Sequence, residues 1–327
     1  MSSFSLKDRQ LYSQFSKVKM QRRFLLLCSA AVLLRCCHHS AAQTPPCYVT
    51  EDVVPDVICP NSVGISEIGD FLGRLSASAG ATEYNKFGLY DNRAVRRLPA
   101  GLLADLRFSV IEVMSCPNLT QVDDFLGASS ATVKNLSMVY DALTEVPQLT
   151  APALLNLRLL QTDAPVVVRR SAFQGMTNIE EIKLESASVT PLAFYDLKRL
   201  KNLYMYSLAA DPLLAGSFHF DSPSLACVFL VGDEFGGLAE PGTFGGFPRA
   251  SQLWIQKILR FSADLFFNLL SRGVTVESPE PVTCDCHVAW IRRSAFLLQT
   301  RVRCLTGMQP VELPSVDEAD FENCGLV

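Results

Sequence analysis

Three short segments in the middle of the chain decide its fold: IEEIKL at residues 179–184, LKNLYM at 200–205 and LACVFL at 225–230. The first, fourth and sixth positions of each segment are apolar, while the positions between them vary. This alternation is typical of a short strand whose fourth and sixth residues enter the core. Each segment therefore predicts one β-strand.

The same pattern recurs at intervals of 21 to 25 residues, which is the spacing of leucine-rich repeats. Eight units begin at Tyr84, Phe108, Val133, Leu154, Ile179, Leu200, Leu225 and Ala250, and a truncated ninth is expected at Val274-x-Val276. One strand cannot bury its apolar face alone, so stacked units share one core. We predict an α/β repeat solenoid over residues 84–276: a leucine-rich-repeat horseshoe with a parallel concave β-sheet and disulfide-bonded end caps.

The repeats are degenerate in the turn that follows each strand. The column in which such repeats usually carry asparagine reads Asn92, Cys116, Asp141, Thr162, Ala187, Leu208, Asp233 and Ile258. An asparagine amide satisfies backbone groups in the turn, and Ala187, Leu208 and Ile258 cannot do so.

Residues 1–42 have the features of a cleaved secretory signal peptide. An apolar run at Phe24–Leu34 precedes Ser40-Ala41-Ala42, with cleavage expected after Ala42 and translation starting at Met1 or Met20. An anchored amphipathic N-terminus is the alternative. The leader holds seven of the 29 Lys and Arg and one of the 33 Asp and Glu, so its removal leaves a net charge of −10. We expect a released extracellular protein without a membrane span.

Eight of the 11 cysteines follow the leader, as disulfide-bonded extracellular chains often show. Cys47 and Cys59 are expected to pair in an N-terminal cap at 43–83, together with a helix over 64–75 that has Ser66 as a plausible N-cap.

The C-terminal region 277–327 is expected to form a second cap containing Cys284, Cys286, Cys304 and Cys324. Spacing alone does not choose among their three pairings. A zinc site using Cys284, Cys286 and His287 is the alternative.

Cys116 and Cys227 lie five repeats apart, about 24 Å at ~4.8 Å per strand. They should not bond to each other, because a disulfide needs Cα atoms within about 7 Å. Cys116 is expected to be a buried thiol, and an exposed thiol at Cys227 could join a partner.

Five stretches are similar to a known family: FGLYDN at 87–92, LPAG at 98–101, FSVIEV at 108–113, CDCHVAW at 284–290 and FENC at 321–324. The chain resembles the secreted arthropod leucine-rich-repeat proteins typified by the non-catalytic subunit of a decapod-shrimp luciferase. The resemblance implies Cys284–Cys304 and Cys286–Cys324 disulfides, with Trp290 packed over the last repeat. It also implies an accessory subunit without catalysis, and it does not imply a part in light emission.

The sequence contains no arrangement of residues typical of an enzyme. His219 and His287, the two histidines beyond the leader, lack a nearby nucleophile motif, and no phosphate-binding loop occurs. The acid pairs Asp123-Asp124 and Glu180-Glu181 are more typical of a solvated edge than of catalysis. We expect no enzyme activity and no cofactor. The net charge of −4 for the full chain also argues against a nucleic-acid partner.

The outward positions of the strands predict a binding surface. The fifth-position column reads Gly88, Glu112, Ser137, Arg158, Lys183, Tyr204, Phe229 and Trp254, and Tyr206 lies beside it. Three consecutive aromatics flanked by two basic residues are typical of a protein-binding surface. The alternative is that a loop or the C-terminal cap covers them.

Two N-glycosylation signals occur, at Asn118-Leu119-Thr120 and Asn135-Leu136-Ser137. Asn118 is expected in a turn, where a glycan is readily accepted. Asn135 precedes an inward leucine on a concave strand, so a glycan there would crowd that face, and lower occupancy is expected. If Asn135 is glycosylated, we expect the partner to bind the half of the concave face that carries Tyr204, Phe229 and Trp254.

Together these features predict a secreted protein that binds a protein or glycan ligand through its concave face, as a non-catalytic accessory or recognition subunit. The alternative is an innate-immune or adhesion-type protein that binds microbial or extracellular ligands.

Overall fold

The computed structural model describes residues 45–60, 63–78, 83–160, 165–208, 213–232, 239–256, 258, 261–306, 309–321 and 324. The predicted signal peptide at 1–42, with its start at Met1 or Met20, lies outside the described residues, as do Thr162 and Asp233. Within the described residues, no helix has both the length and the apolar character needed to cross a bilayer.

The elements are short and mostly strands. The described helices are α1 (Ile65–Ser78), α2 (Ala263–Ser271) and α3 (Cys286–Arg292). The strands are β1 (Tyr48–Val49), β2 (Val57–Pro60), β3 (Glu83–Tyr90), β4 (Arg97–Leu98), β5 (Arg107–Met114), β6 (Gln121–Val122), β7 (Asn135–Val139), β8 (Asn156–Leu160), β9 (Val166–Val168), β10 (Glu181–Glu185), β11 (Ala187–Val189), β12 (Asn202–Tyr206), β13 (Phe218–His219), β14 (Cys227–Leu230), β15 (Phe244–Gly245), β16 (Gln252–Ile255), β17 (Thr275–Glu277), β18 (Thr300–Arg301), β19 (Arg303–Thr306) and β20 (Gln309–Glu312).

Twelve of the described strands form one sheet in the order β1-β2-β3-β5-β7-β8-β10-β12-β14-β16-β17-β18. Strand β1 is antiparallel to β2, and all other neighbours in this sheet are parallel. The fourth positions lie in register, with Ile182 beside Leu203 and Leu203 beside Val228. The fold is therefore the predicted leucine-rich-repeat solenoid, and its sheet continues beyond 84–276 at both ends.

The return segments complete the core with a column of phenylalanines. Phe173, Phe194, Phe218, Phe244 and Phe266 follow one another with ring centroids 5.9, 6.2, 5.7 and 5.9 Å apart. All five side chains are buried. Each repeat thus adds one ring to a continuous stack, which explains how short returns with little helix hold the strands in register.

Disulfide bonds close both ends of the solenoid. Cys47 bonds to Cys59, and the other bonds are Cys284–Cys304 and Cys286–Cys324. These pairs match those given by the sequence and by the family resemblance. The zinc alternative fails because both cysteines that it needs are already bonded to other sulfurs. Trp290 donates a hydrogen bond from Nε1 to the Phe261 carbonyl at 2.9 Å, which ties α3 to the segment before α2.

Two details differ from expectation. Helix α1 begins at Ile65, so Ser66 lies inside it, and the Glu67 carboxylate instead accepts a hydrogen bond from the Gly64 N–H at 3.0 Å. The ninth unit is shifted, because Val276 pairs with Leu253 and therefore occupies the fourth position. Cys227, whose exposure the sequence left open, is half-buried, and Cys116 is a buried free thiol as expected.

Candidate functional site

Three of the predicted residues form one row across the sheet. Tyr204 on β12, Phe229 on β14 and Trp254 on β16 lie in register on adjacent parallel strands. Their backbones lie at the fifth repeat position, where side chains point away from the buried fourth and sixth positions. All three are half-buried. Each of the three residues therefore keeps part of its surface exposed in the described structure.

The rings contact one another closely. Phe229 and Trp254 are stacked, with centroids 3.9 Å apart and planes 14° apart. Tyr204 and Tyr206 both approach Phe229 at tilted angles, with centroid distances of 6.1 and 6.0 Å. We call Tyr204, Tyr206, Phe229 and Trp254 the aromatic surface. These four side chains were expected near one another, and the structure brings them together.

The two basic residues differ in their relation to this surface. Lys183 lies directly beside Tyr204 in register, with Nζ 5.2 Å from the ring centroid, and it pairs with Glu181 at 2.8 Å. Arg158 lies one strand further away, beside Lys183, and its side chain is exposed. Arg158 therefore lies at the rim of the aromatic surface, two strands from Tyr204.

The C-terminal end of the row contains two residues that the sequence pattern missed. Glu277 lies beside Trp254, and Arg301 lies beside Glu277. The two form an ion pair at 3.6 Å, and Gln252 donates a hydrogen bond to Glu277 at 3.0 Å. Placing Val276 rather than Val274 at the fourth position of the ninth unit would have identified Glu277.

Charges on the concave face largely neutralise one another. Lys183 pairs with Glu181, Arg301 with Glu277, and Lys86 with Glu112 at 3.5 Å. Burial raises the pKa of Glu185, and the positive charge of Arg158 opposes that rise. A face with paired charges gives little long-range electrostatic steering, so contacts by the rings should dominate recognition.

The N-terminal half of the concave face is more polar than the aromatic half. A pocket of about 350 Å³ lies over β5, β7, β8 and β10 and is lined by residues that include Asn135, Ser137 and Arg158. Beyond it, Tyr90 donates a short hydrogen bond to Glu112. Burial, followed by that bond and the Glu112 charge, raises the pKa of Tyr90 to about 12.

Cys227 is on the same face as the aromatic surface. It lies in register with Asn202 and Gln252 and two residues before Phe229. Burial, with a smaller contribution from the negative charge of Glu277, raises the pKa of its thiol to about 11. The thiol therefore stays protonated at neutral pH, which disfavours the disulfide exchange with a partner that an exposed thiol would allow.

The remaining polar candidates have structural contacts. His219 packs against Tyr195, with ring centroids 5.6 Å apart. Glu180 pairs with Lys201 at 2.7 Å, and Asp123 pairs with Arg97 at 2.6 Å. Within the described residues, no group of three or more His, Cys, Asp or Glu side chains is arranged to hold a metal ion.

No protein-family model and no curated protein sequence matches the chain. Two solved structures are similar to it in shape. One is human trophoblast glycoprotein 5T4, with a TM-score of 0.45 and 14% identity, covering 86% of this chain and 99% of that one. The other is a chain from an octameric complex of Latrophilin 3, Unc5D and the leucine-rich-repeat part of FLRT2. It has a TM-score of 0.45 and 16% identity and covers 82% of this chain and 90% of that one. The fold assignment rests on the parallel sheet and the caps described above.

Proposed function

We propose that this chain is a secreted, non-catalytic protein that binds a protein partner through the aromatic surface. The stacked, half-buried row of Tyr204, Phe229 and Trp254 carries this proposal. Half-buried aromatic side chains that are already ordered lose little conformational freedom on binding, and such residues are enriched among binding hot spots. Lys183 and Arg158 form the polar rim on one side of the row.

The ring geometry favours a protein over a glycan. Phe229 and Trp254 lie on adjacent strands and stack on each other, so their ring normals run across the sheet and their edges point outward. Tyr204 and Tyr206 approach Phe229 from the other side. Ring edges carry partial positive charge and attract backbone carbonyls and the faces of other aromatic rings. The stack of Phe229 and Trp254 offers a sugar one flat ring face, on the outer side of Trp254.

Two roles follow from the proposal, and one experiment separates them. The family resemblance favours a permanent accessory subunit, which would purify from its native fluid with one stoichiometric second chain. The alternative, an innate-immune or adhesion-type recognition protein, would purify as a monomer and bind transiently. If the chain is an accessory subunit, we expect the second chain to be absent from the purified Trp254→Ala variant and present with Tyr48→Ala. Tyr48 is an exposed tyrosine at the far end of the same sheet, with 48% of its surface exposed.

Secretion is part of the proposal and has its own test. The three disulfides are typical of an oxidising compartment, and they support the predicted signal peptide. N-terminal sequencing of the protein from the culture medium should give Gln43 as the first residue. Retention of the intact N-terminus in the cell would contradict secretion.

A further inference from the structure

The concave row changes from aromatic side chains to polar side chains and glycine between its two halves. The C-terminal half carries the aromatic surface, whereas the same row in the N-terminal half holds Gly88, Glu112, Ser137 and Arg158. The open pocket of about 350 Å³ lies in this half. Its lining is mostly polar, and it contains the start of β7.

Strand β7 begins with the glycosylation signal Asn135-Leu136-Ser137. Leu136 is 1% exposed and points into the core, so Asn135 and Ser137 both face the pocket. Asn135 is exposed, and its Oδ1 accepts a hydrogen bond from Nδ2 of Asn156 at 2.7 Å. Its own Nδ2, the atom that N-glycosylation modifies, has no acceptor among the described residues. The hydrogen bond from Asn156 on β8 thus orients the Asn135 amide and leaves its nitrogen without an acceptor among the described residues.

Asn118 is different, because its Nδ2 already has a structural contact. It donates a hydrogen bond to the Arg93 carbonyl at 2.7 Å. Asn178, which is not in a glycosylation signal, makes an equivalent bond to the Pro152 carbonyl at 2.6 Å. In the folded structure, Asn118 Nδ2 therefore takes part in a bond that links adjacent turns, whereas Asn135 Nδ2 has no acceptor among the described residues. A glycan on Asn135 would displace no hydrogen bond of the described structure.

We propose that Asn135 carries an N-linked glycan whose first sugar lies in the concave pocket, over Ser137 and Arg158. An isoprenoid diphosphate oligosaccharide is the donor. The bond between C1 of its first N-acetylhexosamine and the diphosphate oxygen breaks, and a bond from C1 to Asn135 Nδ2 forms. Nδ2 loses one proton to a base, and the isoprenoid diphosphate leaves. Transfer occurs on the unfolded chain, so the folded structure needs only to provide space for the glycan.

Such a glycan would divide the concave face into two parts. Its first sugar would cover the polar half, where Asn135 lies three strands and Arg158 two strands from Tyr204. The side chains of Asn156, Ser137 and Arg158 would supply hydrogen bonds to sugar hydroxyls. The proposal depends on secretion, and it holds whether or not the aromatic surface binds a partner.

Peptide mass spectrometry of the full chain, secreted from insect cells with its own leader, tests occupancy. Trypsin separates the two signals, because Asn118 falls in peptide 108–134 and Asn135 in peptide 135–158. Enzymatic glycan removal in heavy-oxygen water converts each glycosylated asparagine to a labelled aspartate. We expect the label on most copies of 135–158 and its loss in Ser137→Ala, with Asn118→Gln leaving it unchanged. A largely unlabelled 135–158 peptide in the secreted protein would overturn the proposal.

Chemical modification of Arg158 tests where the sugar lies. An arginine-specific dicarbonyl reagent should modify Arg158 several-fold less in the glycosylated protein than after glycan removal under native conditions. Arg107 is exposed but does not line the pocket, so it serves as the internal control and should react equally in both samples. Equal modification of Arg158 in the two samples would place the glycan outside the pocket.

Discussion

Trp254 stacks on Phe229, with ring centroids 3.9 Å apart and planes 14° apart. The two residues lie in register on β16 and β14 and remain half-buried. Each ring covers one face of the other, so the pair is rigid without belonging to the core. A preformed apolar surface of this kind can contribute to binding more than to folding.

Trp254→Ala is therefore expected to change stability only modestly. The loss of one partly exposed aromatic contact should lower the free energy of unfolding by about 1–2 kcal/mol. Denaturant unfolding monitored by circular dichroism would measure it. A decrease in the free energy of unfolding above about 4 kcal/mol is typical of a buried side chain and would show that Trp254 is part of the hydrophobic core.

Asp141→Asn is expected to stabilise the protein. Asp141 lies in the turn column in which Asn92 accepts hydrogen bonds from the Ala94 and Val95 N–H groups, each at 2.9 Å. Both Asp141 carboxylate oxygens are buried and lack a hydrogen-bond partner in the described structure. Asparagine could donate to and accept from the turn backbone, so unfolding should require about 1–3 kcal/mol more.

The same carboxylate predicts a pH dependence. Burial raises the pKa of Asp141 from 3.8 to about 8, and the nearby Cys116 backbone opposes this rise only in part. Because the folded pKa is the higher one, the contribution of Asp141 to stability is complete below about pH 4. It is lost as the pH rises toward 8. The difference in stability between Asp141→Asn and the wild type should therefore grow over this range. A constant difference would contradict an unpartnered buried acid.

Gly246→Ala is expected to disrupt the return between β15 and β16. Gly246 has a φ of +69°, and an added Cβ would lie 1.7 Å from the Phe220 carbonyl oxygen. The matched control is Gly101→Ala, because Gly101 has a φ of +68° and no atom within 4 Å of the new Cβ. The control should cost about 1 kcal/mol for the left-handed backbone. Gly246→Ala should cost about 3 kcal/mol or more. Equal thermal shifts in the two variants would rule out the close contact.

The two free thiols are expected to react slowly in the folded protein. With its pKa raised to about 11, Cys227 is deprotonated in about one molecule in a thousand at pH 8. Cys116 is buried, and burial raises its pKa to about 12. Disulfide-reagent titration at pH 8 should therefore be slow until denaturant is added, with Cys227→Ala removing the faster phase. Immediate reaction of one equivalent would show that a thiolate is exposed.

The sequence predicted the fold and the aromatic surface because both depend on a local pattern. Alternation along each strand places Tyr204, Phe229 and Trp254 on one face whatever their detailed contacts. The stacking of Trp254 on Phe229 could not be predicted, since it depends on the register of strands that are a whole repeat apart.

Hydrogen bonds between repeats could not be predicted from the sequence either. The different bonding of the Asn118 and Asn135 amides depends on the Arg93 carbonyl and on the Asn156 amide, each contributed by a neighbouring repeat. The ninth unit was misplaced because both Val274 and Val276 are apolar, and only pairing with β16 shows which one continues the fourth-position column.

Partner affinity measured by titration calorimetry, using the second chain isolated from native fluid, tests the central claim most directly. Trp254→Ala should weaken binding by at least about 30-fold, which corresponds to about 2 kcal/mol for an aromatic hot spot. Tyr48→Ala should leave the affinity unchanged. Equal affinities of the wild type and Trp254→Ala, with both proteins folded, would contradict binding through the aromatic surface.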